Sequence, residues 1–155
     1  MHKVLFVCTG NICRSPTAEA VFRHYVDKLG LSDVVKYIDS AGTTAFHVGE
    51  APDSRSAKAA AKRGISLDGQ SARKFTKSDF DYFDFIFAMD NGHYRDIKKL
   101  EPEGSKANIE LFLEYAGHEY ESEVPDPYYG GDKGFEYVLD LIEDATKIIL
   151  ARLGE

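Results

Sequence analysis

The alternation of apolar and polar positions begins with an unbroken run, Val4-Leu5-Phe6-Val7, rich in β-branched side chains. A short continuous run of this kind predicts a strand covered on both faces, as in a parallel sheet. The period then changes. Ser15 suits an N-cap and Pro16 the first helical position, and Ala18, Val21, Phe22, Tyr25 and Leu29 recur at helical spacing until Gly30 closes the segment. A second strand is expected over 34–38, followed by an irregular loop over 40–52. Asp53 then caps an alanine-rich helix over 54–62 that stops at Gly64. Thr76-Lys77-Ser78-Asp79 reads as a capping box opening a short helical turn before a strand over 83–89. A helix over 92–100, a strand over 109–113 and a loop over 125–134 come next. Phe135, Val138, Leu139, Leu141, Ile142, Ala145, Ile148, Ile149 and Leu153 then mark a long amphipathic helix. Strands alternating with helices predict an α/β fold, a parallel sheet with helices on both faces. A length of 155 residues without internal repeat or linker is read as one domain, 1–155.

Composition narrows this picture. Apolar residues at 43% and charged residues at 29% belong to an ordinary globular protein, and no apolar stretch approaches bilayer length, so no membrane association is expected. The run after Met1-His2-Lys3 is too short for a secretory signal core and lacks a small-residue cleavage site. Two cysteines are too few for a disulfide framework and are expected to be reduced in the cytoplasm. A formal charge of −7 argues against a nucleic-acid partner, so any anion site must be local. Oligomeric state is invisible, and a monomer is the default.

The segment between the first strand and first helix is Cys8-Thr9-Gly10-Asn11-Ile12-Cys13-Arg14-Ser15. In doubly wound sheets this turn is the usual place for an anion. A loop wrapped round phosphate turns successive N–H groups inward, which favours residues tolerant of unusual dihedrals such as Gly10 and Asn11, and the helix N-terminus adds to the cradle. Arg14 supplies a planar guanidinium able to make two parallel hydrogen bonds to phosphate oxygens. The spacing from Cys8 to Arg14 closes one tight loop with sulfur at the floor and guanidinium at the rim. A thiol beside a helix N-terminus and an arginine is expected to ionise below its ordinary value of about 8.5, and the Ser15 hydroxyl is placed to donate to it. Thr9, Gly10, Asn11, Ile12, Cys13, Arg14 and Ser15 are the candidate phosphate-binding residues. Taken alone, the loop leaves other readings open: free cysteines are usually small buried hydrophobes. A nucleotide cradle would need a Gly-Lys-Ser/Thr ending or GxGxxG spacing, which the chain lacks here.

The loop and the following Pro16 resemble the signature of the low-molecular-weight protein tyrosine phosphatases. The family's second motif stands late in the chain as Asp126-Pro127-Tyr128-Tyr129-Gly130. An Asp-Pro alone often only ends an element. Beside a cysteine nucleophile it supplies the acid that a departing phenol requires. The resemblance implies a four-stranded sheet in the order 2-1-3-4, with Cys8, Arg14 and Asp126 catalytic. It also implies a phosphocysteine intermediate, a tyrosine-phosphorylated protein as substrate, and no metal or cofactor. No HExxH, paired CxxC or ligand-spaced carboxylate cluster is present, and the five histidines are scattered.

Tyr128 and Tyr129 are expected to wall an aromatic slot deep enough to select phosphotyrosine over phosphoserine. Phe46, followed by Val48-Gly49 and Pro52-Asp53, falls where the family often has the opposite wall, although it reads equally well as a packing aromatic. Ile12 occupies a position where some bacterial relatives acting on phosphoarginine carry threonine, and its bulk disfavours that substrate. An arsenate reductase on this scaffold would relay through a third cysteine, which is missing. A silent phosphotyrosine-binding module would lack nucleophile or acid, and a structural flavodoxin-like domain would not explain the two motifs together. Gln70 lies where many relatives have a histidine bracing the loop asparagine. Cys13 is expected to form a protective, reversible disulfide with Cys8.

Overall fold

The computed structural model describes residues 2–117, 121–127 and 130–155. In chain order the elements are β1 (His2–Cys8), α1 (Arg14–Lys28), β2 (Val35–Gly42), α2 (Ser54–Ala61), α3 (Asp79–Tyr82), β3 (Phe85–Ala88), α4 (Asn91–Leu100), β4 (Asn108–Leu111), α5 (Phe112–Ala116) and α6 (Gly131–Leu153). The strands pair in parallel in the order β2-β1-β3-β4, as expected. The continuous apolar run of β1 splits between two faces. Val4, Phe6 and Cys8 enter a core shared with α1, α2, α5 and α6, whereas Leu5 and Val7 meet Phe80 of α3 and Ile97 of α4. The larger core is built around Phe6, whose ring packs against Phe22, Phe87 and Phe112 at centroid distances of 5.2, 5.8 and 5.5 Å. Burying a ring of this size contributes roughly 1.5–3 kcal/mol. No helix among the described residues is long and apolar enough to cross a membrane.

Several boundaries differ from the sequence pattern, each for a physical reason. Helix α1 starts at Arg14, so Ser15 lies inside it and caps nothing: Cys13 holds the cap position without a side-chain bond. Strand β2 runs on through Ser40, Ala41 and Gly42, small residues lying opposite Phe6, Val7 and Cys8. The strand expected over 109–113 stops at Leu111, and Phe112, Leu113 and Ala116 are buried as one face of α5. A continuous apolar stretch hides that change of period. Helix α6 begins four residues before Phe135 because its first turn is exposed and carries no apolar signal. Asp53 caps α2 as expected, its carboxylate accepting from the Arg55 N–H.

Candidate active site

Strand order reverses at β1, which lies between β2 and β3. The connections leaving the carboxyl ends of β1 and β3 therefore diverge to opposite faces and leave a crevice at Cys8. The β1 connection supplies the loop 9–13, and the β3 connection supplies Asp90, the N-cap of α4.

One residue of the loop makes most of its side-chain bonds to the surrounding elements. Asn11 adopts φ 58°, a left-handed conformation that asparagine tolerates better than most side chains. Its amide is fully used. Nδ2 donates to Ser15 Oγ at 2.8 Å and to Ser40 Oγ at 2.9 Å, and Oδ1 accepts from the Arg73 N–H at 3.0 Å. The Ser40 hydroxyl in turn donates to Glu19 Oε1 at 2.7 Å, and Arg23 Nη2 donates to the other Glu19 oxygen. Burial pushes the Glu19 carboxyl above its ordinary range, and the bonds from Ser40 and Arg23 partly offset that. Because Asn11 occupies a lone pair of Ser15 Oγ, the Ser15 proton is left for Cys8 Sγ at 2.9 Å or the Ala41 carbonyl at 3.4 Å. A thiolate at Cys8 has no proton to give, so in that state Ser15 is the donor of the shorter contact. Gln70 does not share in this brace. It donates to the Pro16 carbonyl at 3.0 Å, and Asn11 is held instead by Ser40 and the Arg73 backbone.

One glycine makes room for the loop. A Cβ at Gly42 would stand 2.8 Å from the Thr9 carbonyl oxygen and 3.1 Å from the Asn11 nitrogen, both backbone atoms that cannot move aside. A Cβ at Gly10 would lie 2.8 Å from the ring of His47, a partly exposed side chain that can turn aside, and the left-handed φ of the loop falls on Asn11, not on Gly10.

Arg14 is 5% exposed and forms part of the wall, not the rim expected from its spacing. Its Nη1 donates to Asp90 Oδ2 at 2.9 Å and to the Val124 carbonyl at 3.1 Å. Burial would raise the Asp90 carboxyl, but the His93 amide and the Arg14 guanidinium outweigh it and hold it below the usual carboxylate range. The His93 N–H caps onto Asp90 Oδ1 at 2.9 Å, its Nδ1 lies 3.2 Å from the same oxygen, and its Nε2 is 2.7 Å from Thr9 Oγ1. Burial, reinforced by Arg14, pushes this imidazole down to about 4, so it is neutral at ordinary pH.

Val124 also fixes the second motif. Its N–H donates to the Met89 carbonyl at 2.7 Å while its own carbonyl accepts from Arg14, which brings the chain back across the crevice two residues before Asp126. Asp126 then lines a cavity of about 460 Å³ with Cys8, Thr9, Gly10, Ile12, Cys13, Arg14, Thr44, Phe46 and His47. Phe46, 86% exposed, stands as one wall. Asn11 and Ser15 lie behind the loop as its supports. Tyr128 and Tyr129, expected as the opposite wall, lie outside the described residues. Burial first, then the charges of Asp53 and Cys8, pushes the Cys13 thiol up to about 12, so it stays protonated. A second hollow on the β2 edge, between Tyr37, Arg73 and Tyr82, contains neither cysteine.

The sequence motifs thus name the cavity but not its supports. Ser40 and Gly42 had a signal in the small-residue string Ser40-Ala41-Gly42, and Asp90 in its place as an N-cap after an apolar run. His93 and Val124 had none.

A family model described as low molecular weight phosphotyrosine protein phosphatase matches residues 3–155. The chain is 53% identical over 133 residues to the low molecular weight phosphotyrosine protein phosphatase of Schizosaccharomyces pombe, covering 86% of this chain and 85% of that one. Among solved structures it resembles a protein tyrosine phosphatase from Entamoeba histolytica with Hepes in the active site. That match has TM-score 0.93 and 43% identity, covering 99% of this chain and 97% of the other. It also resembles the drosophila arginine phosphatase, with TM-score 0.91 and 33% identity, over 99% and 98% of the two chains.

Proposed function

The chain belongs to the low molecular weight phosphotyrosine protein phosphatase family, and on that premise we propose that it hydrolyses phosphotyrosine in protein substrates with Cys8 as nucleophile, Arg14 as phosphate clamp and Asp126 as general acid and base. What carries the reading is the convergence of two motifs distant in the chain on one cavity, with Cys8, Arg14 and Asp126 all in its lining.

The Cys8 thiolate attacks phosphorus in line as Asp126 protonates the departing tyrosine oxygen, forming a phosphocysteine. Water then attacks the phosphocysteine with Asp126 as base, releasing phosphate and the thiolate. Both Nη1 protons of Arg14 are taken by Asp90 and Val124, which leaves Nε and Nη2 for two phosphate oxygens in parallel. The Ser15 hydroxyl, oriented by Asn11, steadies charge on the sulfur when it departs.

The mechanism is tested by turnover of p-nitrophenyl phosphate in EDTA. Asp126→Asn should lower kcat by about 10²–10⁴-fold, the usual share of general acid catalysis. Full kcat in this variant would remove Asp126 from the mechanism. The likeness to the drosophila arginine phosphatase makes phosphoarginine the second substrate to assay. The bulk of Ile12 in the cavity wall favours phosphotyrosine, and equal kcat/KM on the two substrates would overturn that preference.

Cys13 gives the site a redox response suited to a reducing cytoplasm. Peroxide converts the Cys8 thiolate to a sulfenic acid, and the Cys13 thiol, protonated at rest, surrenders its proton to the departing sulfenic hydroxyl as its sulfur attacks, so that water leaves and a disulfide forms. Support comes from the position of both cysteines in one cavity lining. Peroxide-treated wild type should regain activity in dithiothreitol, while Cys13→Ala should lose it irreversibly sooner. Equal recovery by both proteins would end this reading.

A further inference from the structure

We propose that His93 is a positioning residue for phosphate binding: its imidazole spans from the Thr9 hydroxyl to the Asp90 carboxylate that holds Arg14, and so sets the guanidinium relative to the nucleophile's loop. The inference rests on the loop being a phosphate site and deepens that reading.

The ring is 4% exposed and wedged between two elements that only the sheet order brings together, the loop after β1 and the N-terminus of α4. Its Nε2 is 2.7 Å from Thr9 Oγ1, and Thr9 directly follows Cys8. The Thr9 backbone is pinned independently, its carbonyl accepting from the Thr44 N–H at 3.0 Å and the Thr44 hydroxyl at 3.2 Å. On its other side, Nδ1 lies 3.2 Å from Asp90 Oδ1, close but not aligned as a hydrogen bond. Asp90 Oδ2 is the oxygen that takes Arg14 Nη1. A neutral imidazole carries one N–H. With hydrogen on Nε2, a lone pair on Nδ1 would face the Asp90 carboxylate. With hydrogen on Nδ1 that repulsion is relieved, and Nε2 accepts the Thr9 proton. The charged groups acting on the ring are Arg14, Asp90, Asp96 and Asp126. A neutral ring leaves the Asp90 charge to Arg14. A side chain of another length would shift Thr9, Asp90 or both, and a purely structural histidine would need neither contact.

The test is a double-mutant cycle of Thr9→Val and His93→Leu, with inorganic phosphate affinity read by calorimetry and kcat and KM read on p-nitrophenyl phosphate. Each single variant should weaken phosphate binding about tenfold, as expected for a lost hydrogen bond that positions a charged group. The double variant should be no weaker than the worse single one, because both break the same link. Ile97→Val, a buried change elsewhere on α4, should lower thermal stability and leave phosphate affinity as in wild type. Unchanged phosphate affinity in the single variants, or effects that multiply in the double one, would overturn the assignment. If His93→Leu does not fold, unchanged affinity in Thr9→Val does so alone. Wild-type binding of phosphate without turnover would instead count against the phosphatase reading and leave this cycle valid.

Discussion

Cys8→Ser should lower turnover of p-nitrophenyl phosphate by at least about 10⁴-fold, a loss typical of removing a covalent nucleophile. A serine hydroxyl fits the space but is far less acidic than a thiol and stays protonated at working pH. Ser15, the nearest partner, is oriented by Asn11 to donate rather than accept. The variant should still bind inorganic phosphate within a few-fold of wild type, since Arg14, Asp90 and Val124 are untouched. Loss of turnover with retained binding separates the chemical step from the anion site. Undiminished activity in Cys8→Ser would sink the phosphocysteine mechanism.

Arg14→Lys should cost about 10³-fold in kcat/KM, at the lower end of what arginines contribute to phosphoryl transfer. The guanidinium is asked to meet three partners at once: the Asp90 carboxylate, the Val124 carbonyl, and phosphate oxygens through Nε and Nη2. A lysine carries the same charge but is a point donor, so it must release either Asp90 or the phosphate. Releasing Val124 would also loosen the strap that brings Asp126 to the cavity, so kcat should fall as well as affinity. If Arg14→Lys kept more than a tenth of wild-type kcat/KM, the shared fork would not be needed.

The elements that carry chemistry were legible where a short motif announces a role. Cys8, Arg14 and Asp126 stand in two short motifs that the family resemblance singles out, and the structure brings all three to one cavity. The apolar run of β1, the Asp53 cap and the stripe of α6 were equally plain. Local pattern failed where a tertiary contact chose the outcome. Ser15 read both as a helix cap and as a donor to Cys8; only the second holds, because α1 already begins at Arg14. Gly10 and Asn11 both read as tolerant of unusual dihedrals, but Asn11 alone of the two takes the left-handed turn. Gln70, which stands where many relatives carry a histidine bracing the loop asparagine, bonds the Pro16 carbonyl and not Asn11, a choice no local pattern announces.

The sequence by itself determined the α/β class and the loop between strand and helix, and marked Cys8 and Arg14 as candidates, because these depend on residue type and near-neighbour spacing; Asp126 was marked only by the family resemblance. Only the tertiary structure decided that Arg14 is a buried wall residue held by Asp90, that Val124 ties the segment leading to Asp126 to that arginine, and that His93 reaches Thr9. Those contacts join residues 76, 110 and 84 positions apart. They exist because the strand order reverses at β1 and sets the ends of β1 and β3 side by side. No local pattern encodes which strands become neighbours.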